Sequence, residues 1–207
     1  MQLVTRARML LCARWWKMIG RIYLQSSGVA VGEDLTLFGL PVISLANSSS
    51  IVIGDRAVLC SDSRFTALGV NHAVVLRTLR QGAQILLGND VGLSGTSVCA
   101  AQRIEIGHNA LIGANVTITD TDFHPLDPAG RRYCKDDSRI HSAPVRLEEN
   151  VFVGAGSTIL KGVTIGRNSV IGAGSIVAKS IPANVVAAGN PCRPIGNLPA
   201  LEMLACG

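Results

Sequence analysis

A six-residue periodicity from Leu147 to Pro182 constrains the fold more than any other feature of the sequence. In blocks of six, the segment reads LEENVF, VGAGST, ILKGVT, IGRNSV, IGAGSI and VAKSIP. Each block opens on an aliphatic residue, and the fourth positions are Asn150, Gly156, Gly162, Asn168, Gly174 and Ser180. Gly and Asn enter the left-handed backbone region at low cost, so each block predicts one short strand and one tight corner. Three such strands close a triangular coil, and stacked coils form a parallel β-helix filled by the aliphatic openers.

A second run of the repeat precedes a long irregular segment. The blocks IGHNAL, IGANVT and ITDTDF open on aliphatic residues, with Asn109 and Asn115 at the corner positions. Residues 124–146 then contain several charges, Pro and Gly, but no hexad pattern. A long excursion from a rigid scaffold is usually functional, so the sequence predicts that the chemistry lies at this loop.

The length and composition fit one domain. With 22 Gly and only 4% aromatic residues in 207, the chain suits a narrow prism filled by aliphatic ladders. We expect a helix over residues 1–22, the β-helix domain over 23–195 and a short tail over 196–207. The repeat is ragged before residue 84, where a second, smaller excursion is expected. Six cysteines without any C-x-x-C pair indicate reduced thiols in a cytoplasmic protein.

The excess positive charge is confined to the N-terminal segment. No acidic residue precedes Glu33, whereas the same segment contains five bases, and the rest of the chain then has 19 − 5 = 14 bases against 14 acids. A neutral body gives no support for nucleic-acid binding. Residues 3–21 read as a basic amphipathic helix, which either lies on an anionic membrane with Trp15 and Trp16 at the interface or caps the first coil. The apolar runs are too short for a signal peptide or a membrane span.

Several segments resemble one known family. The hexad blocks, the following segment IPANVVAAGNP at residues 181–191 and the sequence Asp122-Phe123-His124-Pro125 before the loop resemble the hexapeptide-repeat acyltransferases. The order of parts is most similar to the bacterial sugar O-acetyltransferases, including the maltose and galactoside enzymes. Residues 83–95 and Asn71-His72 look like the branch that decorates O-antigen, capsule and exopolysaccharide.

The resemblance implies an all-β, left-handed parallel β-helix with an N-terminal helix and one long extruded loop. The handedness comes from the resemblance alone, because right-handed crossovers are the default for parallel strands. The resemblance also implies a homotrimer with active sites at the subunit interfaces. Acetyl-CoA would be the donor and a sugar or lipid-linked glycan the acceptor, with no metal. The expected location is cytoplasmic, with a peripheral position on the inner membrane as a second option.

His124 matches the catalytic histidine of the family. A sugar hydroxyl is too weakly acidic to attack a thioester unaided at neutral pH, and a neutral imidazole is well suited to accept its proton. Asp122 lies two residues earlier and, in an extended strand, would share a face with His124 and orient its ring. Ser94 falls where relatives place polar groups around the acceptor.

The family pattern also carries over to a donor site on the later coils. Ala155 and Ala173 resemble positions where backbone groups bind the pantetheine arm, since small side chains allow close approach. Ala178 and Lys179 follow at the last coil, and Lys179 and Arg193 would pair with the nucleotide phosphates. Relatives often have Thr where this chain has Ala178, and Trp where it has Phe152.

Three other functions remain open from the sequence. N-acetylation of a nucleotide-linked amino sugar would use the same donor site. A zinc carbonic anhydrase on this fold would need three histidine ligands, and His108, His124 and His141 are spaced by 16 and 17 residues, close to one coil. The third alternative is a β-helix without activity.

Overall fold

The computed structural model describes residues 15, 16 and 18–199. Within this range, helix α1 comprises residues 15, 16 and 18–26, so it ends four residues beyond the predicted boundary at residue 22. The first part of the predicted helix and most of the predicted tail lie outside the described residues.

The chain then winds through six coils of three strands each. The first coil consists of β1 (Ala30–Val31), β2 (Thr36–Phe38) and β3 (Val42–Ser44), the second of β4 (Ser50–Ile53), β5 (Val58–Cys60) and β6 (Val75–Thr78), and the third of β7 (Gln84–Leu87), β8 (Gly92–Ser94) and β9 (Ser97–Ala100). The fourth consists of β10 (Arg103–Ile106), β11 (Leu111–Ile112) and β12 (Thr117–Thr119), the fifth of β13 (Val145–Leu147), β14 (Phe152–Val153) and β15 (Thr158–Ile159), and the sixth of β16 (Thr164–Ile165), β17 (Val170–Ile171) and β18 (Ile176–Val177).

Equivalent strands of successive coils form the three faces of a prism. The first strands of the coils form sheet A, the second strands form sheet B and the third strands form sheet C, all in parallel register. Two further strands, β19 (Val185–Gly189) and β20 (Cys192–Asn197), extend sheet B and pair with each other antiparallel. The architecture is the predicted left-handed parallel β-helix.

The aliphatic openers form ladders along the inside of the prism. In the last two coils, strand partners are 18 residues apart, as in the pair Leu147 and Ile165, which matches three hexads. The predicted openers are all fully buried: Leu147, Val153, Ile159, Ile165, Ile171 and Val177. Such stacking places one apolar side chain of each hexad in the core, and the sequence prediction is confirmed.

The corners adopt the predicted left-handed backbone, with one exception. Positive φ angles occur at both upstream Asn corners and at five of the six corner positions, namely Asn150, Gly156, Gly162, Asn168 and Gly174. Ser180 has no positive φ. Its hydroxyl instead accepts a hydrogen bond of 3.0 Å from the backbone N–H of Thr164. The left-handed prediction was therefore wrong at Ser180, where a side-chain hydrogen bond fixes the turn.

Two excursions leave the prism. The shorter one spans residues 61–74 between β5 and β6 and contains a 3₁₀ turn at Ser63–Phe65. The longer one leaves after β12 and returns at β13, with 3₁₀ turns at Arg131–Tyr133 and Asp137–Arg139. An antiparallel bridge between Thr121 and Ser142 closes its base. The loop was predicted over residues 124–146. In the structure it begins directly after β12 ends at Thr119, and it ends before β13 begins at Val145.

Helix α1 caps the open end of the first coil. Leu24 is fully buried in the core, and Gly20 lies so close to Leu37 that a Cβ atom would collide with its side chain. The Arg21 guanidinium donates a hydrogen bond of 2.8 Å to the Gly32 carbonyl. For the described part of the helix, the capping alternative is confirmed.

Candidate active site

His124 lies at the base of the long loop, with its side chain exposed. Its backbone N–H donates to the Asp122 carbonyl at 2.7 Å, and the residue between them, Phe123, has a φ of 61°. The imidazole makes no hydrogen bond to any other described residue. The tight turn therefore presents an unbonded ring at the point where the loop leaves the prism.

Asp122 contacts a lysine that the sequence analysis did not single out. The turn at Phe123 means that Asp122 and His124 are not on an extended strand, so the shared face expected for them does not form. Instead, Lys161 Nζ lies 2.5 Å from Asp122 Oδ1. The other carboxylate oxygen, Oδ2, is buried without a partner in the described chain. Lys161 was not recognisable from sequence, because it occupies an ordinary outward position of a hexad.

Asp120 fixes the corner from which the loop departs. Its side chain is fully buried, and its carboxylate accepts hydrogen bonds of 2.6, 2.7 and 2.8 Å from the backbone N–H groups of Ala101, Gln102 and Arg103. A carboxylate that satisfies three backbone donors is a strong local anchor. The only sequence signal for it was an acidic residue directly after a buried strand.

Side chains satisfy several backbone donors of the corner between sheets A and B. At this corner a side chain of one coil accepts from the backbone N–H of the coil before it. Asp55 accepts from Glu33 at 2.7 Å, Asn89 from Asp55 at 2.9 Å and His108 from Asn89 at 2.9 Å. These bonds leave few open donors along the lower part of that edge, whereas the N–H groups of His108 and Glu149 have no acceptor among the described residues.

The corner between sheets B and C differs because methyl side chains occupy it. Ala114, Ala155 and Ala173 stack on successive coils, and a Cβ on Gly154 would come within 2.7 Å of Ala173 Cα. The Ala155 carbonyl accepts from Gly174 at 2.9 Å, but the N–H groups of Ala155 and Ala173 have no acceptor among the described residues. The result is a row of open backbone donors on a surface with no bulky side chains.

The other predicted site residues border this corner or the last coil. Ser94 ends β8 just before the same corner, two coils below Ala155, and is half-buried. The shorter excursion docks here too, since the Asn71 N–H donates to Asn115 Oδ1 at 2.7 Å. Ala178, Lys179 and Arg193 are exposed, and neither cation forms an ion pair with any side chain in the described range.

The histidines of the zinc alternative do not form a cluster within one chain. His108 is exposed at the corner between sheets A and B, as predicted, and His124 and His141 are exposed at the base of the loop. Among residues 15, 16 and 18–199 there is no group of three or more His, Cys, Asp or Glu side chains arranged to hold a metal ion. Nor does this part of the chain contain a helix long and apolar enough to cross a bilayer.

Comparison with known proteins agrees with the repeat and the fold. The family described as "Hexapeptide repeat of succinyl-transferase" matches residues 103–120 and 144–179. The chain is 51% identical over 89 residues to the galactoside O-acetyltransferase of Lactococcus lactis, covering 43% of this chain and 41% of the relative. It is 35% identical over 102 residues to a putative lipopolysaccharide biosynthesis O-acetyl transferase, WbbJ, of Escherichia coli, covering 47% and 52%. The similarity therefore spans about half the length of each relative.

A solved structure supports the fold over a greater length. A point mutant of AntD, an N-acyltransferase from Bacillus cereus solved with dTDP-4-amino-4,6-dideoxyglucose and coenzyme A, superimposes with a TM-score of 0.65. The match covers 86% of this chain and 89% of that protein at 18% identity, which is evidence for the fold alone. The chain therefore carries a hexapeptide repeat and folds as a left-handed parallel β-helix, and the sequence relatives that it matches over part of their length are acetyltransferases.

Proposed function

We propose that the chain is an acetyl-CoA-dependent O-acetyltransferase that transfers acetyl to a hydroxyl of a sugar or surface polysaccharide precursor. One observation carries this proposal: the two edges of sheet C present groups that would suit the two halves of such a site. The open N–H groups of Ala155 and Ala173 lie at its edge with sheet B, and the unbonded His124 ring lies beyond its edge with sheet A.

The first edge supplies what an extended donor needs. The pantetheine arm of CoA contains amide carbonyls, which can accept hydrogen bonds from Ala155 and Ala173. The methyl side chains let the arm approach the backbone. Arg193 lies on β20 opposite Ala188, at the same edge, and its unpaired guanidinium is suited to a nucleotide phosphate. Ala178 and the unpaired Lys179 follow β18 at the opposite edge of sheet C, on the side of His124, so Lys179 of a neighbouring chain would supply a second cation for the phosphates.

The second edge supplies the base. His124 accepts the proton of the acceptor hydroxyl while the oxygen attacks the acetyl carbonyl; the bond from carbonyl carbon to sulfur breaks, and CoA leaves as the thiol once protonated. General-base assistance of this type contributes about a hundredfold to ten-thousandfold in rate. Asp122, held by Lys161, fixes the turn that positions the ring.

The separation of the two halves favours sites between subunits. In one chain, sheet C lies between the donor row and His124, so neither faces the other across a shared cleft. A neighbouring prism would place its His124 beside the donor row of the first chain. A closed ring of three chains satisfies every such pair and forms three sites, which supports a homotrimer.

The acceptor end lies below the donor row at the same corner. Ser94 and the shorter excursion that contains Asn71 border this region, and their hydroxyl and amide groups suit a polyhydroxylated ligand. Similarity to WbbJ, whose name refers to lipopolysaccharide biosynthesis, favours a precursor of surface polysaccharide. An O-antigen precursor carried on a lipid would be an acceptor of this kind. Because the donor is a cytoplasmic metabolite, transfer would occur in the cytoplasm or at the inner face of the membrane.

Binding and transfer should be measured separately. CoA binding by calorimetry and acetyl transfer to a panel of sugars, lipid-linked glycans and amino sugars would be compared for the wild type, His124→Ala and His108→Ala. We expect all three to bind CoA, and only His124→Ala to lose transfer, by about a hundredfold or more. Absence of CoA binding by the wild type would overturn the proposal, and transfer to amines alone would replace O-acetylation by N-acetylation.

Subunit complementation tests the shared site. Co-expressed His124→Ala and Arg193→Gln chains, assayed at low acetyl-CoA concentration, should recover part of the activity that each lacks alone, because a mixed trimer contains some sites with both halves intact. No recovery in a mixed trimer verified by mass would contradict sites built from two chains.

A further inference from the structure

Helix α1 has two apolar faces, of which the prism covers one. Gly20 and Leu24 are buried against the first coil, and Trp16 and Tyr23 pack against the core. On the other face three large apolar side chains are exposed, with Trp15 at 59%, Met18 at 62% and Ile22 at 64%. Capping the coil therefore accounts for only half of the apolar surface of this helix.

The exposed side chains form a continuous stripe. Successive helical residues are rotated by about 100°, so positions 15, 18 and 22 fall within an arc of roughly 60°, while positions 20 and 24 point the opposite way. The Trp15 ring meets Trp16 edge-on at a centroid distance of 6.1 Å and extends outward from it. Single exposed apolar residues are common on protein surfaces, but three neighbours on one helical stripe are typical of an interaction surface.

The charge of this segment indicates the partner. The first 32 residues contain five basic residues and no acidic residue, whereas the rest of the chain is balanced. The one described base of this group near the stripe, Arg21, bonds to the Gly32 carbonyl and not to a carboxylate, so its charge is not neutralised by an ion pair. A partner for this segment needs negative charge for the basic residues and an apolar layer below it for the exposed stripe. A bilayer that contains anionic lipids has both, in its head groups and its acyl chains.

We propose that α1 binds anionic membranes with the stripe Trp15, Met18 and Ile22 inserted at the boundary of head groups and acyl chains. Its opposite face stays on the first coil, so the β-helix is held at the membrane surface without unfolding its cap. This inference does not depend on the acetyltransferase proposal, although it would place the enzyme beside a lipid-linked acceptor.

The two tryptophans provide a matched pair of reporters, because the chain contains no others. In Trp16→Phe the remaining fluorophore is the exposed Trp15, and in Trp15→Phe it is the half-buried Trp16. On addition of phosphatidylcholine vesicles that contain phosphatidylglycerol, we expect a blue shift of the Trp15 emission and little change for Trp16. Equal shifts for both, or none for Trp15, would overturn the proposed orientation.

Vesicle flotation tests the stripe itself. The variant W15Q/M18Q/I22Q should lose most binding to the anionic vesicles, whereas L68Q/L126Q/I195Q, which removes three equally exposed apolar residues elsewhere, should bind like the wild type. Vesicles of phosphatidylcholine alone should bind far less, weaker by roughly fivefold for each basic residue that lies near the anionic surface. Binding retained by the stripe variant would overturn the proposal. A wild type that does not bind the anionic vesicles would also overturn it. If the stripe variant then had a different oligomeric mass from the wild type, the stripe would be an interface with a second copy of the chain.

Discussion

Lys161 Nζ lies 2.5 Å from Asp122 Oδ1, and this ion pair joins the fifth coil to the base of the long loop. The two side chains are 34% and 21% exposed, so water screens the pair only in part. The carboxylate is two residues from His124, across the turn at Phe123. The position of the histidine backbone thus depends on a residue 39 positions away from Asp122 in the chain.

Lys161→Met should impair transfer more than folding. Loss of the cation leaves a half-buried carboxylate without a partner, and we expect about 1–2 kcal/mol less stability, between the values for exposed and buried pairs. The turnover rate should fall about tenfold by misplacement of His124, with CoA affinity unchanged. Steady-state kinetics would measure the turnover rate, and urea unfolding would measure the stability.

Two variants serve as controls. Lys161→Arg keeps the positive charge and should retain most of the rate, and Arg146→Met removes a weak surface ion pair of 3.9 Å and should have little effect. An unchanged rate in Lys161→Met would show that the pair does not position the histidine.

Asp120→Asn should lower the free energy of unfolding by about 3 kcal/mol or more. The carboxylate accepts three backbone hydrogen bonds inside the protein, and an amide would replace one acceptor oxygen by a donor facing those N–H groups. Asp127→Asn is the matched control, since that carboxylate is exposed in the loop. Urea unfolding measures the difference, and equal effects of the two substitutions would contradict the role assigned to Asp120.

The ladders and corners were predictable because each hexad repeats the same local physics. In each hexad one aliphatic residue fills the core and one Asn or Gly turns the chain. The pattern at Ile165 and Asn168 can therefore be recognised from the local sequence, without knowledge of the residues they contact. Ser180 broke the rule because its turn is fixed by a hydrogen bond from Thr164, which begins the same coil 16 residues earlier in the chain. Handedness was not contained in the period and came from the resemblance.

The candidate site was predictable only where one residue carries the signal. His124 stood out at the start of the loop, and Ala155 and Ala173 stood out by family register. The role of Lys161 could not be predicted, because its ion pair with Asp122 forms only once the loop between the two residues has folded. The open donors at Ala155 and Ala173 become significant only in comparison with the lower coils of the corner between sheets A and B, where side chains accept the equivalent bonds from Asp55 and Asn89.

Lys179→Gln/Arg193→Gln should weaken CoA binding by about tenfold to a hundredfold, since each charge-assisted bond to phosphate contributes about 1.5–3 kcal/mol before solvent screening. Neither cation forms an ion pair with a described side chain, so the substitutions leave no described carboxylate without its partner. Calorimetry with CoA and dephospho-CoA would measure the loss. The loop variant Lys135→Gln also removes a surface cation and should bind normally; an equal loss there would assign the effect to overall charge.

Gly154→Ala should disturb the donor row far more than Gly156→Ala. The new Cβ at position 154 would meet backbone atoms of the next coil, within 2.7 Å of Ala173 Cα, and we expect a loss of about 3 kcal/mol and weaker CoA binding. Gly156 has a φ of 69° and open space around it, so alanine there costs only the left-handed conformation, about 1–2 kcal/mol. Urea unfolding of the pair tests this order, and a greater loss at Gly156 would refute close coil stacking at the corner.

Cys99→Ala should flatten the alkaline decline in stability. Burial raises the pKa of the Cys99 thiol, opposed by Arg77 and reinforced by Asp120. The folded chain therefore holds this proton more tightly than the unfolded chain does. The contribution of the Cys99 thiol to the free energy of unfolding is complete below the unfolded pKa of about 8.5 and is lost as pH rises through the higher folded pKa.

Urea unfolding at a series of pH values across this range should show a shallower decline in stability for Cys99→Ala than for the wild type. Cys134→Ala, in the exposed loop, should retain the wild-type slope, because the half-buried Cys99 thiol remains. A wild-type slope in Cys99→Ala would mean that other groups, such as Cys60 and Cys192, account for the decline.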